Sequence, residues 1–112
     1  MKFVLVAALW LIPQLGYAGP ARGLLVACNA RGELKRLCQW YIQGFIDGTQ
    51  MQKKLEFTSS GRSEASFCAP RGSTLNDAIT AFRAYASAHP AELENEVSVV
   101  VWAALNSRWP CR

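Results

Sequence analysis

The chain has 112 residues, 12 basic and 8 acidic side chains, a formal net charge of +4 and 51% apolar residues. That length bounds it to one small domain with a modest core. The charge is spread along the chain, with no block of like charges and no basic run interleaved with aromatics, which argues against a nucleic-acid partner.

The chain opens MKFVLVAALWLIPQLGYAGP. Lys2 precedes an apolar run from Phe3 to Ile12, Pro13 and Gln14 break it, and Gly16 and Ala18 are small residues placed for a cut after Ala18. This is the layout of a secretory signal peptide over 1–18, followed by a single domain over 19–112. The apolar run is shorter than the roughly 20 residues a spanning helix needs, so no membrane attachment is expected after cleavage. No cysteine stands at the cut to carry a lipid anchor.

Four helices are predicted beyond the leader. A short one covers Leu24 to Cys28. The second runs from Glu33 to about Lys54, with Leu34, Leu37, Cys38, Tyr41, Ile42, Phe45 and Ile46 recurring at steps of three and four on one face. Gly44 and Gly48 sit inside it. Each weakens a helix by up to ~1 kcal/mol relative to alanine, so a close approach by another backbone is expected there. A long connection, Leu55 to Gly72, comes next. Ser59, Ser60 and Gly61 form its tip, and Arg62, Ser63 and Glu64 offer hydrogen-bonding groups suited to a polar cleft. Long connections in compact domains are either functional or simply solvated.

Ser73 or Thr74 caps the third helix, with Asp77 placed to complete a capping box. Leu75, Ala78, Ile79, Phe82, Tyr85 and Ala86 make its core stripe. It stops near His89, because the residue before a proline avoids helical geometry. Pro90 suits the first turn of a fourth helix. Glu92, Glu94 and Glu96 crowd that start, Leu93, Val97, Val100, Val101, Ala104 and Leu105 form the buried face, Arg108 lies near the end and Pro110 terminates it. The run VSVVVW has the β-branched content of a strand, but the flanking caps and the adjoining AAL favour a helix. Trp40 and Trp102 border their stripes and, with Trp109, are read as core residues that would otherwise mark an interface.

Cys28, Cys38, Cys68 and Cys111 make an even set, and in an oxidising compartment they imply two disulfides. Zinc sites favour pairs two to four residues apart, and no pair here is that close. Four cysteines allow three pairings. A tight turn at Ala88 to Pro90 makes the last two helices antiparallel, which brings the start of one beside the end of the other. That favours Cys68 with Cys111 and leaves Cys28 with Cys38. The fold class is therefore all-α: a small four-helix, disulfide-stabilised domain.

The ordered set CQWYIQGFIDG, FCAPRGST, AHPAEL and VWAALNSRWPC, behind a leader, resembles the Tai/Rap family of immunity proteins. The resemblance spans nearly all of 19–112 and rests on Cys28, Cys38, Tyr41, Gly44, Gly48, Phe67, Cys68, Pro70, His89, Pro90, Ala104, Leu105, Pro110 and Cys111. Trp40 stands where such proteins often carry glycine, and AELENE lacks a histidine common in that stretch. No cofactor or metal is expected. The resemblance implies a periplasmic, non-catalytic protein, often a homodimer. It would bind and inhibit a peptidoglycan amidase delivered by type VI secretion, protecting the producer or its kin from lysis. Some relatives push a loop into the amidase cleft, and here Ser59 to Glu64 is the candidate. The alternative is a helical structural or adaptor module of the bacterial envelope. An enzyme is disfavoured, because one histidine, no Gly-rich phosphate loop and no spare thiol leave few catalytic constellations.

Overall fold

The computed structural model describes residues 19–60 and 67–111. The expected leader over 1–18 and the segment 61–66 lie outside the described residues. Four α-helices carry the fold: α1 (Ala21–Asn29), α2 (Glu33–Ser60), α3 (Leu75–Ala88) and α4 (Val97–Arg108), with a 3-10 turn at Pro90–Glu92. Among the described residues there is no strand, only an isolated antiparallel bridge between Pro20 and Glu96.

That bridge explains two departures from the predicted elements. α1 begins at Ala21, ahead of Leu24, because its first amides find acceptors outside the helix. Ala21 N–H donates to the Asn95 carbonyl at 2.9 Å and Arg22 N–H to the Leu93 carbonyl at 2.9 Å. Pro20 offers no side-chain cap, so these carbonyls satisfy donors a helix start otherwise leaves unpaired. The same diversion divides the predicted fourth helix. With the carbonyls of Leu93 and Asn95 turned to α1, helical bonding does not run on from Pro90. Glu96 is extended (φ −56°, ψ 134°), and α4 restarts at Val97, whose N–H donates to the Gly19 carbonyl at 3.2 Å. Arg22 adds a 2.6 Å ion pair with Glu94, an exposed contact worth at most about 1 kcal/mol.

α1 turns into α2 at Gly32, whose φ of +72° is a left-handed value that glycine adopts without strain. Lys35 Nζ donates to the Cys28 carbonyl at 2.6 Å, and the Cys28–Cys38 disulfide staples the corner. α2 has 28 residues, about 42 Å at the usual rise. It overruns the predicted end at Lys54 and carries the start of the expected connection, from Leu55 to Ser60, as helix.

α3 has the predicted capping box. Asp77 N–H donates to Thr74 Oγ1 at 3.1 Å, and Thr74 N–H donates to the Asp77 carboxylate at 2.9 Å. Arg83 Nε reaches Asn29 Oδ1 at 2.7 Å, tying α3 to the end of α1. α4 is helical despite its valines because Val97, Val100, Val101, Ala104 and Leu105 are all buried on one side.

The core joins Cys28, Cys38, Ile42, Phe67, Ile79, Phe82, Val100, Val101, Leu105 and Trp109. Leu34 and Leu37, expected on the core face of α2, are instead 48% and 53% exposed. The buried stripe is narrower: Cys38 and Ile42 are sealed, and Tyr41, Phe45 and Ile46 are half-buried. No helix among the described residues is long and apolar enough to cross a membrane.

Candidate interaction surface

The long helix presents two apolar stripes; one lies in the core, and the other touches it only through Tyr41 at their shared border. At 3.6 residues per turn, Leu37, Tyr41, Gly44, Gly48, Met51 and Leu55 fall within about 80° of arc, turned away from Cys38 and Ile42. Leu37, Met51 and Leu55 are 53%, 58% and 63% exposed, Gly44 and Gly48 are exposed, and Tyr41 stands at the border. Trp40 flanks the stripe at 68% exposure.

Gly44 and Gly48 correct an expectation. A side chain built at either position meets nothing within 4 Å. No backbone of this chain approaches them closely among the described residues, and they form a shallow trough between Leu37 and Tyr41 on one side and Met51 and Leu55 on the other.

The residues of the stripe recur at intervals of four, three, four, three and four, symmetric about Ile46. An antiparallel pairing of two such helices would set Leu37 opposite Leu55 of a second copy, Tyr41 opposite Met51, and Gly44 opposite Gly48. Alternating steps of three and four are those of a coiled-coil seam, and small residues at its centre shorten the distance between helix axes.

A second, smaller patch lies on α4, where Val99 and Trp102, one turn apart, are 53% and 44% exposed. Of the three tryptophans expected in the core, only Trp109 is there; Trp40 and Trp102 face solvent.

The proposed loop residues divide between described and undescribed parts. Ser59 and Ser60 are the last residues of α2, while Gly61, Arg62, Ser63 and Glu64 lie outside the described residues. The chain resumes at Phe67, and its anchoring is dense. Phe67 is 2% exposed, its carbonyl accepts from Lys53 Nζ at 2.7 Å, and the same ammonium stands 5.5 Å from its ring centroid. Cys68 N–H donates to the Trp109 carbonyl at 2.8 Å, and Cys68 is bonded to Cys111. A groove of about 310 Å³ runs between α2 and this segment, with Gln43, Ile46 and Gln50 on one wall and Phe67, Pro70 and Trp109 on the other.

The four cysteines thus form two bonds, Cys28–Cys38 and Cys68–Cys111, the pairs favoured by the antiparallel hairpin. The electrostatics elsewhere are modest. Tyr85 O–H donates to the Glu92 carboxylate at 3.0 Å and its ring stacks on His89 at 4.0 Å. Burial raises the Tyr85 phenol above its usual value, and the Glu92 hydrogen bond and charge raise it further. Tyr41 is raised by burial and then by Glu96. His89 Nδ1 lies 2.8 Å from the Tyr85 carbonyl, which places the sole histidine at the end of α3 as a helix-terminating residue. No group of three or more His, Cys, Asp or Glu side chains able to hold a metal occurs among the described residues.

The predicted core face of α2 does not include the second stripe. Its signal lies in Met51 and Leu55, which continue the spacing of Leu37 and Gly44 beyond the point where the core residues stop.

A family model described as Rap1a immunity proteins matches residues 21–111, which takes in all four helices and all four cysteines. No curated protein and no solved structure matches the chain.

Proposed function

The chain belongs to the Rap1a immunity protein family, and we propose that it is a periplasmic immunity protein that binds and inhibits a type VI secreted peptidoglycan amidase. The observation that carries this reading is the family match across 21–111. The chemistry of the chain supports it. A leader-like start over 1–18 agrees with export, and two disulfides agree with an oxidising compartment. Inhibition needs a surface shaped for another protein, and this chain exposes aromatic and aliphatic side chains on both α2 and α4.

The contact to the amidase is assigned to the connection at Ser59, Ser60, Gly61, Arg62, Ser63 and Glu64. Its polar residues suit a cleft built to accept peptide groups. The neighbouring anchors at Lys53, Phe67 and Cys68 hold the chain firmly where it re-enters the bundle. The working unit is a homodimer, paired antiparallel along the stripe from Leu37 to Leu55. The symmetric spacing about Ile46 supports that assignment.

Two experiments test the reading. An immunity gene is expected beside that of its toxin, so co-expression in the periplasm with the product of the adjacent reading frame should rescue cells from lysis, and deletion of 59–63 should abolish the rescue without unfolding the protein. Unchanged lysis with the intact chain counts against an immunity role; full rescue by the deletion variant counts against the loop. For the dimer, sedimentation of the purified chain should show a concentration-dependent dimer that Met51→Asp converts to monomer.

A further inference from the structure

The two disulfides are placed very differently. Cys28 and Cys38 are both 0% exposed, enclosed by the core at the corner of α1 and α2. Cys68 and Cys111 are both exposed, as are Ala69, Pro70, Arg71 and Pro110 around them. Thiol–disulfide exchange requires a thiolate to reach a sulfur directly, so access decides which bond reacts.

We propose that the Cys68–Cys111 disulfide is a thiol-responsive latch, opened by small thiols or dithiols while Cys28–Cys38 and the helical bundle stay intact. A thiolate attacks one sulfur of the exposed bond, giving a mixed disulfide and releasing the other cysteine as a thiolate. A second thiol then displaces the first cysteine. Two thiols are oxidised to one disulfide, two cysteines are reduced, and the two thiol protons end on the cysteines.

The latch controls a definable part of the molecule. It closes a sequence separation of 43, against 10 for the buried bond. It fastens the segment Phe67 to Ser73, one wall of the groove facing Gln43 and Gln50, to the end of α4. Once it opens, the bond from Cys68 N–H to the Trp109 carbonyl and the Phe67–Trp109 ring contact lose the covalent tie beside them and break more often. The helices are held by other means: the buried faces of α3 and α4, the capping box at Thr74, and the exchange of hydrogen bonds between α1 and residues 93–97. Reduction therefore loosens the groove wall and the C-terminal turn and leaves the bundle in place. The inference does not depend on the proposed toxin partner.

The test is graded reduction of the purified native chain with dithiothreitol, quenched by iodoacetamide and read by peptide mass spectrometry, with hydrogen exchange on the singly reduced form. Alkylation at Cys68 and Cys111 is expected at least about tenfold sooner than at Cys28 and Cys38. Exchange should rise at the Cys68 amide and across 105–111 and stay unchanged across 75–100. Equal rates at the two bonds, or earlier reduction of Cys28–Cys38, would overturn the proposal, as would unaltered protection at Cys68. A Cys68→Ser/Cys111→Ser variant provides a second reading. It should fold and show the same loosened segments, and its failure to fold would equally overturn a latch that leaves the bundle intact.

Discussion

Phe67 and Trp109 meet with ring centroids 6.4 Å apart at the place where the chain re-enters the bundle and where α4 ends. Both are nearly sealed, at 2% and 7% exposure. The contact joins the two ends of the α3–α4 hairpin from the inside, as the Cys68–Cys111 bond does from the outside. Replacing Trp109 with alanine should lower stability by about 3–5 kcal/mol, the usual cost of emptying a large aromatic site. Trp40→Ala, on the exposed stripe, should change the stability of the monomer by no more than about 0.5 kcal/mol. Urea unfolding of the two variants checks the contrast, and similar losses would mean that Trp40 is also a core residue.

The capping box offers a local measure. Thr74→Ala removes the acceptor for the Asp77 amide and should cost about 1 kcal/mol. Thr74→Ser keeps the acceptor and should cost much less. Equal losses in denaturant unfolding would show that the hydroxyl is not what starts α3.

Glycine in the middle of α2 is a cost to the isolated chain, since nothing among the described residues crowds Gly44. Gly44→Ala should therefore stabilise the monomer by about 0.5–1 kcal/mol. The same methyl would fill the trough at the proposed seam and weaken self-association. Thermal unfolding at low concentration and sedimentation at high concentration should move in opposite directions. A stability loss in the dilute monomer would restore the close-packing role that the sequence suggests for this glycine.

Two tyrosines bear on stability at alkaline pH. Tyr85 and Tyr41 are both raised above the ordinary value of 10.0, through burial and then through Glu92 and Glu96 respectively. A phenol with a higher pKa in the folded state loses its proton first from the unfolded chain. Its contribution is thus fully present below about pH 10 and is lost as pH rises through the folded value. Melting temperatures measured from pH 8 upward should be steady to about pH 10 and then fall. Tyr85→Phe should make that fall shallower, and an identical slope in wild type and variant would remove Tyr85 from the account.

Much of this architecture is legible in the sequence because it is set locally. Thr74 and Asp77 stand three apart on any helix start, and Val97, Val100, Val101, Ala104 and Leu105 lie on one face whatever surrounds them. The cysteine pairing comes from a short connection at Ala88 to Pro90. The misreadings have physical causes as well. Periodicity marks apolar faces but does not say which one is covered, so Leu34 and Leu37 merge with Cys38 and Ile42 into one stripe. Trp40 and Trp102 suffer the same ambiguity. The division between Pro90 and Val97 depends on Pro20 meeting Glu96 from the other end of the chain, a contact no local pattern announces. The serine-rich end of α2 reads as loop from composition, whereas its backbone continues the helix to Ser60. Of the candidate contact residues, the polar tip is visible in the sequence; the exposed stripe becomes visible once the core has claimed its own side of α2.

The most direct test of the central claim is to purify the product of the adjacent reading frame, expected to be a peptidoglycan amidase, titrate this chain into it and follow peptidoglycan cleavage. A stoichiometric loss of activity is expected, with a complex that survives gel filtration. Undiminished cleavage at a large excess of this protein, with no co-eluting complex, would contradict it.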